Sequence, residues 1–356
     1  MSETKEKLST ENYSCPNCGG KTAFDPKTQK LKCPYCFSEF EVSRESSTKE
    51  RDLRDLLINA KVWNATEVVQ CENCGSREVI SKGEISTHCA FCGTTNIVKT
   101  QEIVGMTPHG ICPFQIELNR AGSLATTWAK KRWYAPNAFK KSADAKALKG
   151  LYTPAFTFDC ETETRYKGVL GRKKEEVTIR NGTRHTSSYM TFFDISGNYA
   201  RKFDDLLVHS SPNIPNTMIS KMEPFPTNAA LDYDTKYLAG YTATTYAKDG
   251  EQTWKECKQK VSSIVRREIL RKYTYDKVEK FEADTQYFNT KFKYLLLPVY
   301  VGHYTFKKKN YNFYVNGSTG KVAGKAPVSP WKVLLAVLGG LLVTGAIITL
   351  ALLSEM

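Results

Sequence analysis

Two pairs of cysteines, repeated once along the chain, limit the possible folds of this protein more than any other feature. The first set reads Cys15-Pro-Asn-Cys18 and, after fourteen residues, Cys33-Pro-Tyr-Cys36. The second set reads Cys71-Glu-Asn-Cys74 and, again after fourteen residues, Cys89-Ala-Phe-Cys92. Each cysteine of the second set lies 56 positions after its counterpart, which indicates an internal duplication of one small module.

The spacing of these cysteines is typical of a structural zinc site. A Cys-x-x-Cys pair places two thiolates on one tight turn, and two such turns across a hairpin complete a tetrahedron around Zn²⁺. Four thiolates fill that coordination shell, so no position remains for water or substrate. The sequence therefore predicts two four-cysteine zinc ribbons, each holding one structural Zn²⁺ ion. The predicted metal ligands are Cys15, Cys18, Cys33, Cys36, Cys71, Cys74, Cys89 and Cys92.

The residues around the cysteines favour metal over disulfide bonds. Met1 is followed by polar and charged residues and not by an apolar export signal, so we expect a reducing compartment in which disulfides are rare. Gly19, Gly75 and Gly93 follow three of the four Cys-x-x-Cys turns, where the backbone must bend sharply towards the sulfurs. Phe37 stands at the corresponding position of the remaining turn and departs from this pattern.

A long uncharged segment near the C-terminus predicts a membrane anchor. Val333–Leu353 contains no charge over 21 positions, and a helix of that length, rising about 1.5 Å per residue, spans a hydrocarbon core of about 30 Å. Several lysines precede this segment, and only Ser-Glu-Met follows it. Because positive residues stay on the cytoplasmic side, we expect a single-pass, tail-anchored membrane protein with most of the chain in the cytoplasm.

The predicted anchor also carries a narrow stripe of small residues. Ala336, Gly340 and Thr344 stand four positions apart, on one face of a helix. Small residues allow a second membrane helix to approach closely, so another membrane helix is a candidate partner.

Composition and turn residues divide the chain into six segments. We predict a flexible N-terminus, a first ribbon, a linker with a helix, a second ribbon, an α+β domain, and a juxtamembrane linker with the anchor. Their bounds are 1–12, 13–43, 44–66, 67–105, 106–326 and 327–356. The predicted fold class is α+β, with two tandem zinc ribbons, a mixed, mainly antiparallel β-rich domain with helices, and one C-terminal transmembrane helix.

Residue periodicity predicts individual elements within these segments. Thr48 is expected to cap a helix that reaches about Ala60, and a second helix is expected between Asn119 and Trp133. Apolar residues recur at three and four positions after Trp254, which is typical of an amphipathic helix. The remaining expectations are helices over Met218–Glu223 and Ala229–Leu238, two strands between Tyr273 and Phe306, a hairpin around Asn316, and separate strands Tyr152–Tyr166, Glu176–Arg180, Tyr189–Tyr199 and Asp205–His209.

Charge and motif content restrict the function. A net charge of +14 favours nucleic acid or anionic lipid headgroups as neighbours, and the apolar C-terminal segment favours lipid. No HExxH, GxSxG or dinucleotide-binding motif occurs, so we expect a protein that is not an enzyme. Cys112, Cys160 and Cys257 lie outside the repeat and are expected to be small, buried apolar residues.

Four motifs along the chain resemble a known bacterial family. They are the Cys-Pro-x-Cys-Gly start of the first ribbon, Gly110-Ile-Cys-Pro-Phe114, Gly150-Leu-Tyr-Thr-Pro-Ala-Phe156 and Pro298-Val-Tyr-Val-Gly-His-Tyr304. With these residues the chain resembles bacterial zinc-ribbon membrane proteins of the YdjG type, whose ribbon is of the transcription-factor-B type and which are sometimes labelled primosomal or helicase-related. The resemblance implies partners of the phage-shock-protein-A and stomatin/flotillin types, and a role in the envelope-stress response.

Two functions follow from these features, and a third class, a hydrolase or transferase in residues 151–326, stays open because folds can host sites that no short motif reveals. The first is a non-enzymatic, membrane-tethered cytoplasmic adaptor that recruits or anchors partner proteins, with juxtamembrane lysines attracting anionic lipid by about 1 kcal/mol each. The second is a membrane-tethered, zinc-ribbon protein that binds nucleic acid in replication or transcription, because basic ribbons also suit phosphate backbones. Tight, salt-sensitive binding of DNA or RNA would distinguish the second function from the first.

Overall fold

The computed structural model describes most of the chain as a mixed α+β fold. The described residues are 13–46, 49–58, 68–79, 89–91, 94, 97–100, 106–143, 146, 148–180, 183–211, 213–244, 246, 248, 250–307 and 309–354. Six helices in these residues accompany mainly antiparallel sheets, as the sequence predicts. The N-terminal segment 1–12 and the predicted ligand Cys92 lie outside the described residues.

Most strands are short, and three are very long. The strands are β1 Ala23–Asp25, β2 Lys30–Lys32, β3 Glu39–Phe40, β4 Arg51–Asp52, β5 Val68–Cys71, β6 Arg77–Val79, β7 Ile97–Thr100, β8 Gly110–Ile111, β9 Leu148–Arg180, β10 Thr183–His209, β11 Leu231–Asp232, β12 Thr242–Thr244, β13 Lys277–Phe306, β14 Lys309–Asn316 and β15 Val322–Gly324. The helices are α1 Leu53–Ile58, α2 Leu118–Lys130, α3 Asn137–Ser142, α4 Asn216–Met222, α5 Gly250–Leu270 and α6 Pro330–Ser354.

The long strands β9, β10 and β13 form the centre of one large sheet. β10 and β13 lie on either side of β9, and both run antiparallel to it. The hairpin β14–β15 extends the sheet beyond β13, while β8 pairs in parallel with β13 and β12 in parallel with β9. β1, β2 and β3 form a separate three-stranded sheet.

The prediction of separate strands between Tyr152 and His209, and of two strands between Tyr273 and Phe306, was wrong. The first region contains only two strands, β9 and β10, the second contains the single strand β13, and the irregularities within these strands are β-bulges at which the register shifts. Glycines that resemble strand breaks are positions of close approach, because a Cβ on Gly168 would lie 2.5 Å from the carbonyl oxygen of Lys280. Glycine inside a strand therefore marks crowding here, and not the end of the strand.

Two of the helix predictions also need correction. The helix expected from Thr48 begins only at Leu53, because Arg51–Asp52 is paired with β13 as strand β4. Thr48 and Ala60 themselves lie outside the described residues. Ala229–Leu238 does not form an α-helix, since Leu231–Asp232 pairs with β8 and leaves only short 3₁₀ turns on either side. The predictions of α2, α4, α5 and the β14–β15 hairpin are confirmed.

Alternate residues of β9 and β13 face two different cores, as the two-residue repeat of a strand requires. Tyr152 and Leu296 belong to a buried cluster with α2, α3 and the first cysteine module. Leu151 and Leu295 belong to a second cluster with α4 and the cysteines of the second module. Further along the sheet, β9 and β13 pack against the apolar face of α5, whose buried residues are Thr253, Cys257, Val261, Val265, Ile269 and Leu270.

A buried ion pair in this sheet leads to the first prediction. Lys293 on β13 lies 2.6 Å from a carboxylate oxygen of Asp205 on β10, and the two side chains are only 8% and 15% exposed. Lys293→Met keeps most of the aliphatic stem but leaves Asp205 buried without a cation. Breaking a buried pair in this way costs about 3–5 kcal/mol, so the thermal unfolding midpoint in detergent should fall clearly.

The control for this variant is Lys280→Met, which removes a lysine from an exposed pair with Glu282 on the same strand. Exposed pairs contribute about 0–1 kcal/mol, so this variant should unfold close to the wild-type temperature. Equal midpoints for the two variants would contradict the importance assigned to the buried pair.

Candidate functional site

The four cysteines of the first module converge on one point. Their sulfur atoms all lie within 4.8 Å of one another, with 3.4 Å between those of Cys15 and Cys36 and 3.5 Å between those of Cys18 and Cys33. Four sulfurs at about 2.3 Å from a Zn²⁺ ion would be about 3.8 Å apart, whereas a disulfide requires about 2.0 Å. The arrangement therefore fits one tetrahedral metal ion.

The backbone of each Cys-x-x-Cys turn follows the same hydrogen-bonding scheme. In every turn the N–H of the first cysteine donates to the carbonyl five residues later. The donor and acceptor pairs are Cys15 and Gly20 at 2.7 Å, Cys33 and Ser38 at 2.9 Å, Cys71 and Ser76 at 2.9 Å, and Cys89 and Thr94 at 2.8 Å. The fourth turn thus shares this hydrogen bond with the other three, and its second cysteine, Cys92, lies outside the described residues.

Phe37 departs from the glycine pattern in residue type but not in conformation. Its φ angle is +62°, beside +74° for Gly19 and +72° for Gly75. Its N–H donates to the carbonyl of Cys33 at 3.0 Å, as the glycine N–H groups do in their turns. Because a side chain in this left-handed region costs about 1–2 kcal/mol, Phe37 strains the first module.

Phe37→Gly is therefore expected to stabilise the first module by about 1 kcal/mol, because the turn keeps its shape and loses the strain. The phenylalanine ring is 70% exposed, so little packing is lost. The measurement is the thermal unfolding midpoint, together with the rate at which a chelator removes the metal. Phe37→Ala is the matched control: it removes the ring but keeps the Cβ, and it should give no stabilisation. If Phe37→Ala raised the unfolding midpoint as much as Phe37→Gly, the strain would not come from the positive φ angle at this position.

Ser38 favours the ionised form of the neighbouring thiol. Its hydroxyl oxygen lies 3.3 Å from the sulfur of Cys36, and hydrogen bonds from its hydroxyl and backbone N–H lower the pKa of Cys36 to about 6. The backbone N–H of Gly20 also favours the thiolate of Cys18, but hydrogen bonds with the other sulfurs outweigh it and raise the pKa of Cys18 to about 12. A metal ion would convert all four sulfurs to thiolates and release the remaining protons.

The second module repeats the cluster on the large sheet. The sulfur atoms of Cys71, Cys74 and Cys89 lie within 4.8 Å of one another, and those of Cys74 and Cys89 are 3.6 Å apart. Ser76 places its hydroxyl oxygen 3.1 Å from the sulfur of Cys89 and 3.3 Å from that of Cys74. These three sulfurs could hold a metal ion.

Ser38 and Ser76 were not singled out in the sequence. The signal for them is their position, two residues after the second cysteine of a turn. Hydroxyl groups at this position can orient the sulfur ligands, as outer hydrogen bonds generally do at metal sites.

Both cysteine modules are packed against the rest of the protein. In the first module, the ring of Phe24 lies edge-on to Tyr237 at 5.0 Å, and its N–H donates to the carbonyl of Ala239 at 2.9 Å. In the second module, β6 pairs with β12 and so joins the central sheet. The modules therefore present fixed surfaces. The division of the chain into ribbons and a separate α+β domain stays a prediction.

Within the described residues, α6 is the helix that is long and apolar enough to cross a membrane. The part of α6 with this length and composition is Pro330–Thr349, and none of it is buried against the rest of the protein. At its start, the N–H of Ser329 donates to the carbonyl of Tyr134, and Lys332 donates to the carbonyl of Ala135 and the side chain of Asn137, each at 2.8 Å. These bonds fix the beginning of α6 to the corner between α2 and α3.

The remaining cysteines are buried apolar residues, as expected. Cys112, Cys160 and Cys257 are almost completely inaccessible, and burial raises the pKa of Cys112 to about 12 and that of Cys160 to about 11. Thiols held in the protonated form are poor nucleophiles and poor metal ligands. Oxidation or metal binding at these three positions is therefore disfavoured.

Comparison with known proteins gives one relative over most of the chain. The chain is 29% identical over 324 residues to an uncharacterized protein, YdjG, of Bacillus subtilis (strain 168), which covers 90% of this chain and 92% of the relative. No family model matches the chain, and no solved structure matches it. The similarity agrees with the resemblance to proteins of the YdjG type that the sequence motifs indicate.

Proposed function

We propose that this protein is a non-enzymatic adaptor that is tethered to the bacterial cell membrane by α6 and recruits partner proteins to its cytoplasmic surface. In this proposal each cysteine module holds one Zn²⁺ ion, because four thiolates at tetrahedral spacing suit zinc. The ions stabilise two small modules that are too small to fold on a hydrophobic core alone. The modules then provide binding surfaces and perform no chemistry.

The observation that carries the proposal is the exposed apolar helix α6 and the surface around its beginning. Trp133 is 57% exposed and Trp331 is 73% exposed, and both adjoin the bonds that hold α6 to the corner between α2 and α3. Lys140 and Lys141 lie in the last turn of α3. Exposed tryptophans and lysines at the start of an apolar helix are typical of a membrane interface with anionic headgroups.

The proposed partners are proteins of the phage-shock-protein-A and stomatin/flotillin types, acting in the envelope-stress response. A second membrane helix that packs on the stripe Ala336, Gly340 and Thr344 is a further candidate. Support comes from the two cysteine modules, which pack against the rest of the protein, and from the exposed apolar helix α6.

Affinity purification of the tagged full chain from detergent-solubilised membranes, followed by mass spectrometry, tests this proposal. We expect proteins of the two named types to be enriched with the wild type. The matched control is the variant Cys18→Ser/Cys36→Ser, whose changes lie at the exposed ligands of the first module. Loss of partners with this variant would assign them to the cysteine module, and a wild type with no enriched partner would contradict the adaptor function.

One observation favours the alternative of nucleic-acid binding. β13 begins at Lys277, opposite Gly171, so the hairpin of β9 and β10 continues beyond it as a two-stranded ribbon. This ribbon carries the basic run from Arg172 to Lys174 and the exposed rings of Tyr189 and Phe192. Cations and aromatic rings together suit a nucleic-acid backbone with stacked bases.

An electrophoretic shift assay at two salt concentrations separates the two functions. If the protein is an adaptor, we expect that the detergent-purified full chain does not bind DNA or RNA tightly. Binding that weakens steeply with salt, and that is lost in Lys173→Gln/Lys174→Gln but kept in Lys167→Gln, would favour the alternative.

A further inference from the structure

The strand β10 lies at an edge of the large sheet. In the part of the chain that the structure describes, β9 alone pairs with it. The backbone N–H and C=O groups on the outer side of β10 therefore have no neighbouring strand among the described residues. An open edge of this length is a template for another strand, and proteins usually protect such edges against pairing.

One part of this edge lacks the usual protection. Residues 184–194 read Arg-His-Thr-Ser-Ser-Tyr-Met-Thr-Phe-Phe-Asp, without proline or lysine. Formal charges stand only at the two ends, on Arg184 and Asp194. The β-bulge of β10 lies further along, between Phe203 and Leu206. Proline, internal charges and bulges are the features that keep edge strands from pairing, so this segment is suited to accept a strand.

Most of this segment belongs to the two-stranded ribbon that continues beyond the start of β13. Residues 172–180 of β9 pair there with residues 183–191 of β10. The side chains of residues 172–177 and 186–190 are all exposed. A two-stranded hairpin with no covered face is marginally stable in water, whereas three or more strands with a hydrophobic face are stable. A further strand along β10 would supply what the ribbon lacks.

Exposed apolar side chains lie on one face of this edge. Met190 and Phe192 are two positions apart on β10, and so they share a face. Both lie over Gly171 of β9, where a Cβ atom would be 3.0 Å from the sulfur of Met190 and 3.2 Å from a ring carbon of Phe192. Both are exposed, and a strand added beside β10 would cover part of their surface.

We propose that this edge pairs with the same edge of a second copy of the chain, with residues 184–194 of the two copies antiparallel. The charges at the two ends of the segment favour this partner. When Tyr189 lies opposite Tyr189 of the other copy, Arg184 of each copy lies opposite Asp194 of the other, and no formal charge lies between them. Opposite charges directly across an antiparallel pair are favourable. Neither residue has an ion-pair partner within the described part of its own chain.

The basic residues of the ribbon do not oppose this pairing. Arg172, Lys173 and Lys174 belong to β9, one strand away from the edge. In the dimer, the β9 strands of the two copies are three strand spacings apart, or about 14 Å at about 4.8 Å per spacing. This distance exceeds the Debye length of about 8 Å at physiological ionic strength, so their repulsion is largely screened. The two ribbons together then form a four-stranded sheet.

The test is sedimentation equilibrium of the full chain in density-matched detergent, over a range of micromolar protein concentrations. We expect the wild type to form a reversible dimer. Arg184→Asp and Asp194→Arg are each expected to raise the dissociation constant of the dimer roughly tenfold or more, because each places like charges opposite one another at both ends of the segment. A wild type that stays monomeric would overturn the proposal and leave the edge to a strand of another protein.

A mixture of the two variants separates pairing from folding. In a mixed dimer of Arg184→Asp with Asp194→Arg, opposite charges again face each other at both ends, so the dissociation constant should return close to that of the wild type. Lys174→Asp is the matched control, since it reverses an exposed charge of the same ribbon on β9 and should leave the dimer unchanged. Dimers that withstand both charge reversals, or a mixture as weak as the separate variants, would also overturn the proposal.

Discussion

Cys33→Ser is expected to release one metal ion per chain and to unfold the first cysteine module. Cys33 is fully buried, and its sulfur lies 3.5 Å from that of Cys18 within the four-sulfur cluster. Serine keeps the size of the side chain but is a poor ligand for a metal that prefers thiolate. A structural Zn²⁺ site contributes roughly 10–16 kcal/mol to the folding of a small module, so its loss leaves little to hold the module together.

The measurement is the metal content of the purified variant, together with limited proteolysis of residues 13–43. Cys257→Ser is the matched control, because Cys257 is equally buried but lies on α5, outside both clusters. This control should retain the full metal content even if its stability falls. A Cys33→Ser protein that keeps the wild-type metal content and resists protease would show that the cluster does not bind the ion.

Removal of α6 is expected to transfer the protein from the membrane to the soluble fraction. A chain that ends at Ser329 loses the stretch Pro330–Thr349, none of which is buried by the rest of the protein. Transfer of such a helix into a bilayer is favourable by roughly 5–10 kcal/mol, summed over its apolar residues. No core residue is lost, so the truncated protein should remain folded and keep its metal.

Carbonate extraction of membranes measures this effect, because it removes peripheral proteins and leaves spanning ones in the pellet. Leu342→Ala is the control, since it removes apolar surface from the middle of the span and adds no charge. It should stay in the pellet with the wild type, whereas the chain ending at Ser329 should not. A truncated protein that still resists carbonate would contradict the assignment of α6 as the anchor.

The cysteine clusters and α6 are the parts that the sequence predicts best. Both depend on local rules. The spacing of Cys15 and Cys18 places two sulfurs on one turn. An uninterrupted apolar segment of this length matches the hydrocarbon core of a bilayer. Even Phe37, which breaks the glycine pattern, adopts the φ angle that the turn requires. The turn geometry is imposed by the two cysteines that precede Phe37, Cys33 and Cys36, and so it tolerates an unsuitable residue at a cost.

The long strands and the approach of Glu50 to Asp159 could not be predicted, because both arise from contacts between residues distant in the sequence. Gly168 resembles a strand break, but it lies inside β9 where β13 approaches closely. Glu50 is surrounded by charged residues and resembles an ordinary exposed side chain. Only the pairing of β4 with β13 brings it to Asp159, more than a hundred residues away. Local patterns carry no information on such register-dependent neighbours.

The zinc content of the detergent-purified full chain tests the central claim most directly. Plasma emission spectrometry of metal bound to protein of known concentration would give the number of ions per chain, and native mass spectrometry would show whether each chain carries the same number. The account predicts two Zn²⁺ ions per chain in protein extracted from membranes. Protein from the same membranes with no stoichiometric zinc, or with the cysteines of the two modules joined in disulfides, would contradict it.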